Sequence, residues 1–225
     1  MLNLFLDIET IPTERQDVRE YIAASISPPG NISKAETIAK WNEESRPGAI
    51  DEAVAKTGLD GAFGRVCVIG WAIDDRNVTM LYDEHDEFSL LKEFDNAMFL
   101  LPSNELFTTA IVGHNASAFD LRFLVHRYIV NGIKPPVVIA RAAQAKPWES
   151  DKVFDTMVQW AGTGNRVSLD KLCLALGIPS PKGEIDGSKV WQYVQAGRIA
   201  EVAAYCGKDV EAVREVWRRM TFQPA

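Results

Sequence analysis

Cysteine is scarce in this chain, and the three present, Cys67, Cys173 and Cys206, are far apart among its 225 residues. No Cys-x-x-Cys occurs, so they build neither a disulfide framework nor a thiolate zinc site, and a reducing, cytoplasmic setting is expected. Long apolar runs are also missing. No segment approaches the roughly 18 residues that a membrane span needs, and the opening Met-Leu-Asn-Leu-Phe-Leu-Asp7 turns acidic without a basic leader, so neither export nor a membrane partner is expected. Basic charge is in deficit: 24 Lys and Arg face 31 Asp and Glu, a formal charge of -7. A chain of that sign repels a polyanion as a whole, so any nucleic-acid contact has to be local. Residues 134–198 are the exception, with nine basic and six acidic residues, +3 against -10 for the remainder. Taken alone, that segment reads as a solvated face of mixed charge.

What is present is ordinary globular composition, 47% hydrophobic and 24% charged, enough to bury one substantial core. Leu2, Leu4 and Leu6 alternate with Asn3, Phe5 and Asp7, the period of a strand whose two faces both carry apolar residues, as in a central strand. Val66 to Ile73 and Val78 to Tyr82, separated by Asp74-Asp75-Arg76-Asn77, read as an antiparallel hairpin. The period then becomes helical through Phe88, Leu91, Phe94 and Met98, ending before Pro102. A strand is expected from about Leu106 to Val112, a helix from about Ser117 to Val130, and a short β-rich piece from Val153 to Val158. A short helix over Leu169 to Leu176, closed by Gly177, and a long one from about Ile199 to Met220 complete the order. This is the pattern of an α/β fold, a mixed five-stranded sheet flanked by helices with its first three strands antiparallel, the ribonuclease H-like arrangement among others. The chain reads as one domain, 1–225, with an insertion at about 12–64 between the first two strands. That insertion carries nine acids and six bases, so it is no basic clamp; a lid or a protein-docking surface is expected of it.

Several acids stand at positions where a strand or helix would present them. Asp7 and Glu9 are two apart at the end of the first strand, so both leave one face of the sheet. Asp120 opens a helix, where an acid also favours the helix dipole and Ser117 resembles a capping partner. Tyr205 and Asp209 are one turn apart on the last helix, beside its apolar stripe. Each signal alone is commonly structural. His114 and His126 lack any partner at metal-binding spacing and read as structural or surface groups.

The order of these signals is specific. Asp7-Ile-Glu9-Thr10, Asn115-Ala-Ser-Ala-Phe119-Asp120 and Tyr205-Cys-Gly-Lys-Asp209 resemble the three motifs of the DEDD superfamily of 3'-5' exonucleases in its tyrosine-containing branch. The histidine-containing branch would need His where Ala204 stands. Asp186-Gly-Ser-Lys-Val190, Gly197-Arg198-Ile199 and Tyr205-Cys206 further resemble the stand-alone exonucleases related to the proofreading domain of family B DNA polymerases. The likeness runs from Leu4 to about Trp217 and is weakest between Pro12 and Gly64.

The resemblance implies a site in which Asp7, Glu9, Asp120 and Asp209 hold two divalent ions, Mg²⁺ or Mn²⁺, with Asp7 bridging both. Four converging carboxylates need such cations on electrostatic grounds, and all-oxygen ligands suit hard metals. It implies hydrolysis of the terminal phosphodiester at the 3' end of single-stranded DNA, releasing nucleoside 5'-monophosphates, with Tyr205 orienting the attacking hydroxide. Asn115, Phe119 and Thr10 would position the terminal nucleotides, and Lys182, Lys189 and Arg198 would meet backbone phosphates. Replication or repair proteins are the candidate partners. Two rival readings are the same chemistry on RNA, because nothing in the sequence reads a 2'-hydroxyl, and a non-catalytic nucleic-acid-binding module, which the retention of all four acids disfavours.

Overall fold

The computed structural model describes residues 2–100, 105, 107–181 and 183–223. The chain divides into two compact units, Met1–Glu9 with Val66–Ala225, and Thr10–Arg65. The first holds most of a five-stranded sheet. β1 (Asn3–Ile11) is central, and the strand order is β3-β2-β1-β4-β5 with β2 (Arg65–Ile73), β3 (Thr79–Tyr82), β4 (Ala110–Gly113) and β5 (Val153–Asp155).

β4 pairs parallel with β1 and with β5, whereas β3 pairs antiparallel with β2, Val68 standing opposite Tyr82. Between β1 and β2, Asp74 N–H donates to the Asn3 carbonyl at one end and the Cys67 thiol faces the Glu9 carbonyl at the other. Those two strands therefore run in opposite directions. The mixed sheet is thus as expected, with its first three strands antiparallel.

Alternation along β1 sorts side chains between two layers. Leu4, Leu6 and Ile8 point into the large core with Ile69, Trp71, Phe94 and Leu121. That core is covered by α4 (Glu87–Phe99), α5 (Asp120–Val130) and α6 (Val137–Ala142). Phe5 points the other way, into a smaller cluster with Val210 and Val213 of α10 (Ile199–Met220), and Trp217 meets its ring edge-on at 5.5 Å. Burial on both faces explains why β1 lacks a polar face over its first half.

Several boundaries differ from expectation. β1 continues to Ile11, so Asp7 and Glu9 lie inside the strand, beyond Asn3–Phe5, where pairing with β4 ends. β4 starts only at Ala110, and Leu106 is outside the described residues. α5 starts at Asp120, because the preceding residues are held in a turn: Ser117 N–H donates to Asp155, and Ser117 is not the helix cap. The β-rich piece from Val153 ends at Asp155, whose side chain caps α7 (Thr156–Ala161), so Met157 and Val158 are helical despite their composition. α8 (Leu169–Leu176), closed by left-handed Gly177, is as expected. α6 and α9 (Val190–Gln195), six residues each, were too short for periodicity to reveal.

In the second unit, α1 (Gln16–Ser25), α2 (Ala35–Glu44) and α3 (Arg46–Ala55) lead into a 3-10 turn at Lys56–Leu59. The Thr10 hydroxyl donates to the Gly58 carbonyl at 2.6 Å and Thr13 N–H to the Thr57 hydroxyl at 2.9 Å, tying this turn to its first residues.

Candidate active site

The period of β1 that buries Phe5 on the α10 side sends Asp7 and Glu9 to that same side. α10 approaches closely because position 70 in β2 is glycine: a Cβ there would lie 2.8 Å from Cys206 Sγ. The Cys206 thiol is 3.6 Å from the Asp7 main-chain carbonyl, and this contact fixes the rotation of α10 that turns Tyr205 and Asp209 toward the β1 acids. Among the described residues, Asp7, Glu9 and Cys206 offer ligand atoms that all lie within 4.8 Å of one another.

Asp120 arrives from the opposite layer. It is the first residue of α5, buried, and its Oδ1 accepts Ile8 N–H at 3.1 Å, between Asp7 and Glu9 in β1. Asp120 and Asp209 are not in that close group, but all four sequence-derived carboxylates are near enough to raise one another's pKa. Burial, then the charges of Asp120, Glu9 and Asp209, raises the Asp7 pKa well above the carboxylate range. Burial followed by Asp209 and Asp120 does the same to Glu9. Burial pushes Asp120 up to about 7. Asp209 is pushed up to about 6 by burial, against the lowering effect of a hydrogen bond from the Tyr205 hydroxyl. Tyr205 itself is raised by burial and then by Asp209, so its hydroxyl keeps its proton.

Among the described residues, the leading influences on these four acids are burial and neighbouring carboxylates rather than a basic side chain. Among the described residues Asp7 Oδ2 is buried without a hydrogen-bond partner. An orphaned carboxylate oxygen among further carboxylates is a donor set for a hard divalent cation, so the residues fit the metal that their sequence order implies. Cys206 is also within reach, but burial holds its thiol well above its ordinary pKa and hence protonated.

Asp155 supports the site, and the sequence reading missed it. It is buried, accepts Asn115 N–H at 2.9 Å and Ser117 N–H at 3.0 Å, and caps α7 through Met157 N–H at 3.1 Å. Read as a strand residue it gave no signal; as an Asp at a strand-to-helix junction it has the signature of a cap. Asn115, at φ 62°, is left-handed, a conformation that asparagine tolerates better than most residues. Its carbonyl accepts Phe119 N–H at 3.0 Å, which sets the chain entering α5 at Asp120. His114 locks the same turn, bonding Thr156 and the Val167 carbonyl, both at 2.9 Å, and burial lowers its pKa.

The residues expected to touch substrate fare unequally. The Asn115 amide is half-buried and makes no hydrogen bond within the described residues. Phe119 packs against the large core and lies 5.5 Å from the Phe123 ring. The Thr10 hydroxyl is engaged with Gly58. Lys189 donates to the Glu184 carbonyl at 2.8 Å and lies 3.3 Å from Asp186. Arg198 grips Glu201 at 2.6 Å with its guanidinium 4.2 Å over the Tyr193 ring. Lys182 lies outside the described residues.

A family described as "Predicted 3'-5' exonuclease related to the exonuclease domain of PolB" matches residues 60–223. The chain belongs to this family of PolB-related exonucleases. The matched stretch contains Asp120, Tyr205 and Asp209 but not Asp7 or Glu9, which only the fold brings to the other acids. No curated protein matches the chain in sequence. A family B DNA polymerase from the hyperthermophilic archaeon Pyrobaculum calidifontis is similar in structure, with a TM-score of 0.59 at 15% identity. That match covers 99% of this chain and 24% of the polymerase, so the chain spans about a quarter of that polymerase's length. The likeness establishes the ribonuclease H-like fold. Among the described residues no helix is long and apolar enough to cross a membrane.

Proposed function

We propose that the protein is a metal-dependent 3'-5' exonuclease that hydrolyses the terminal phosphodiester of single-stranded DNA and releases nucleoside 5'-monophosphates. The observation that carries this reading is the convergence of Asp7, Glu9, Asp120 and Asp209, with Asp7 Oδ2 buried and unpartnered.

Asp7, Glu9, Asp120 and Asp209 would hold two divalent cations, Mg²⁺ or Mn²⁺. When bound, such cations acidify an attacking water and neutralise charge on the leaving oxygen. The side chains have separate tasks around that centre. Asp120, hydrogen-bonded to Ile8, fixes β1 against α5 so that Asp7 and Glu9 keep one orientation. Tyr205, whose hydroxyl stays protonated, is no general base; with its one proton shared with Asp209, its oxygen would accept from the attacking water and so orient it. The Asn115 amide, carried on a left-handed backbone, would hydrogen-bond the terminal nucleotide. Single-stranded substrate is favoured because a chain of net charge -7 offers only local contacts to a polyanion, which suits a threaded end better than a duplex.

The test is 5'-labelled single-stranded DNA and RNA of one sequence, incubated with Mg²⁺, Mn²⁺ or EDTA. A ladder shortening from the 3' end with wild type and metal, lost with EDTA and with Asp7→Asn, is expected, with DNA cleaved faster than RNA. Faster RNA cleavage would make the protein an exoribonuclease. Equal activity of wild type and Asp7→Asn would remove the assignment.

A further inference from the structure

Two basic residues on the approach to α10 are occupied, Arg198 by Glu201 and Lys189 by the Glu184 carbonyl and Asp186. Lys208 differs. It is exposed, makes no hydrogen bond or ion pair within the described residues, and sits between Tyr205 and Asp209 in the α10 sequence. At i+3 from Tyr205 it shares that residue's side of the helix. A groove of about 220 Å³ is lined by Tyr205 and Lys208 together with Ile185 and Tyr193, so the residue that neighbours Asp209 on α10 and the Lys208 side chain face one hollow.

The charges along this groove fix which way a polyanion can lie. Glu201 lines it but is paired with Arg198 at 2.6 Å, leaving Glu184 and Lys208 as the unpaired charged side chains among its described lining residues. Beyond Lys208 the groove continues into a second of about 260 Å³, where Glu211 and Glu215 stand among Ile178, Pro179 and Pro181. A phosphate advancing past Lys208 would therefore meet carboxylates; one stopping there meets an ammonium. Lysine suits this task, being a mobile point charge on a long stem that reaches a single phosphate without demanding bidentate geometry.

We propose that Lys208 binds the backbone phosphate adjoining the one that is hydrolysed, and so positions the substrate end over the acid cluster. This rests on the exonuclease reading above. Among the described residues the Lys208 side chain has no hydrogen bond or ion pair to a carboxylate of that cluster, so its charge is open to substrate.

The test compares wild type, Lys208→Ala and Lys208→Arg on two substrates, a dinucleotide with a single phosphodiester and a single-stranded decamer. On the decamer, kcat/KM of Lys208→Ala should fall roughly tenfold, the scale of one charge-assisted hydrogen bond, with Lys208→Arg recovering most of it. On the dinucleotide, which has no adjoining phosphate, the three proteins should agree within about twofold. The salt dependence of the decamer reaction should also flatten in Lys208→Ala, by about 0.7 in log-log slope for one lost phosphate contact. Equal losses on both substrates, or no loss on the decamer, would overturn the proposal while leaving an active exonuclease. Failure of folded wild type to cleave either substrate would instead refute the nuclease reading, and the role of Lys208 with it.

Discussion

The Asp120 carboxylate accepts the main-chain N–H of Ile8 at 3.1 Å, joining the first residue of α5 to the middle of β1. Ile8 stands between Asp7 and Glu9, so one bond sets the spacing of three acids at once. The arrangement separates two roles of Asp120. In Asp120→Asn the amide oxygen can still accept from Ile8 while the charge is gone; activity should drop by at least about 100-fold, the upper end of what metal-site support residues cost, with little loss of stability. In Asp120→Ala the buried Ile8 N–H loses its acceptor, and unfolding free energy should also fall by about 1–3 kcal/mol. Chemical denaturation of both variants beside their activity checks this; equal stability losses would contradict it.

The raised acids make stability depend on pH in a defined direction. Asp120 sits at about 7 and Asp209 at about 6, each above an unfolded value of about 4. An acid that holds its proton more tightly when folded lends stability that is complete below the unfolded pKa and is lost as pH rises through the folded one. The metal-free protein should therefore melt at progressively lower temperature from about pH 4 to about pH 7. Mn²⁺ should raise Tm markedly at about pH 8 and little at about pH 5, where protons compete for the same oxygens. Thermal melts with EDTA or Mn²⁺ across that range decide it, and a Tm rising with pH in EDTA would oppose the account.

Asn115 combines a left-handed backbone with an unengaged amide. Glycine at this position keeps the turn and deletes the amide, whereas alanine deletes both. Asn115→Gly should therefore keep its stability within about 0.5 kcal/mol, and Asn115→Ala should lose about 1–2 kcal/mol from the strained backbone. Both should show a raised KM for oligonucleotides. Wild-type KM in Asn115→Gly would confine this residue to shaping the turn.

Gly70 and Cys206 form a close pair across β2 and α10. A Cβ on residue 70 would meet Cys206 Sγ at 2.8 Å and Val210 Cγ2 at 3.2 Å. Gly70→Ala should destabilise by about 1–3 kcal/mol and lower kcat as α10, with Tyr205 and Asp209, shifts away from β1. Cys206→Ala removes the nearer obstacle, so the double variant should recover part of both losses. A double-mutant cycle measures this coupling, and strict additivity would show that the two residues do not meet.

The sequence by itself determined which faces carry chemistry. Alternation in β1 commits Asp7 and Glu9 to the side opposite Leu4, Leu6 and Ile8, and helical spacing stacks Tyr205 on Asp209, because these periods are properties of the local backbone. Order along the chain then made the family legible. Tertiary structure alone decided how those faces are joined and which cations remain free. Asp120 reaches Ile8 across 112 residues and Cys206 reaches Asp7 across 199, distances at which no local pattern acts. The same holds for Asp155, read as a strand residue until its carboxylate is seen gathering the N–H groups of Asn115, Ser117 and Met157. Lys189 and Arg198 share a basic segment, but whether an ammonium or guanidinium is open to phosphate depends on which acids the fold sets beside it. Local periodicity selects a face; only packing supplies the neighbours that shift a pKa or quench a charge.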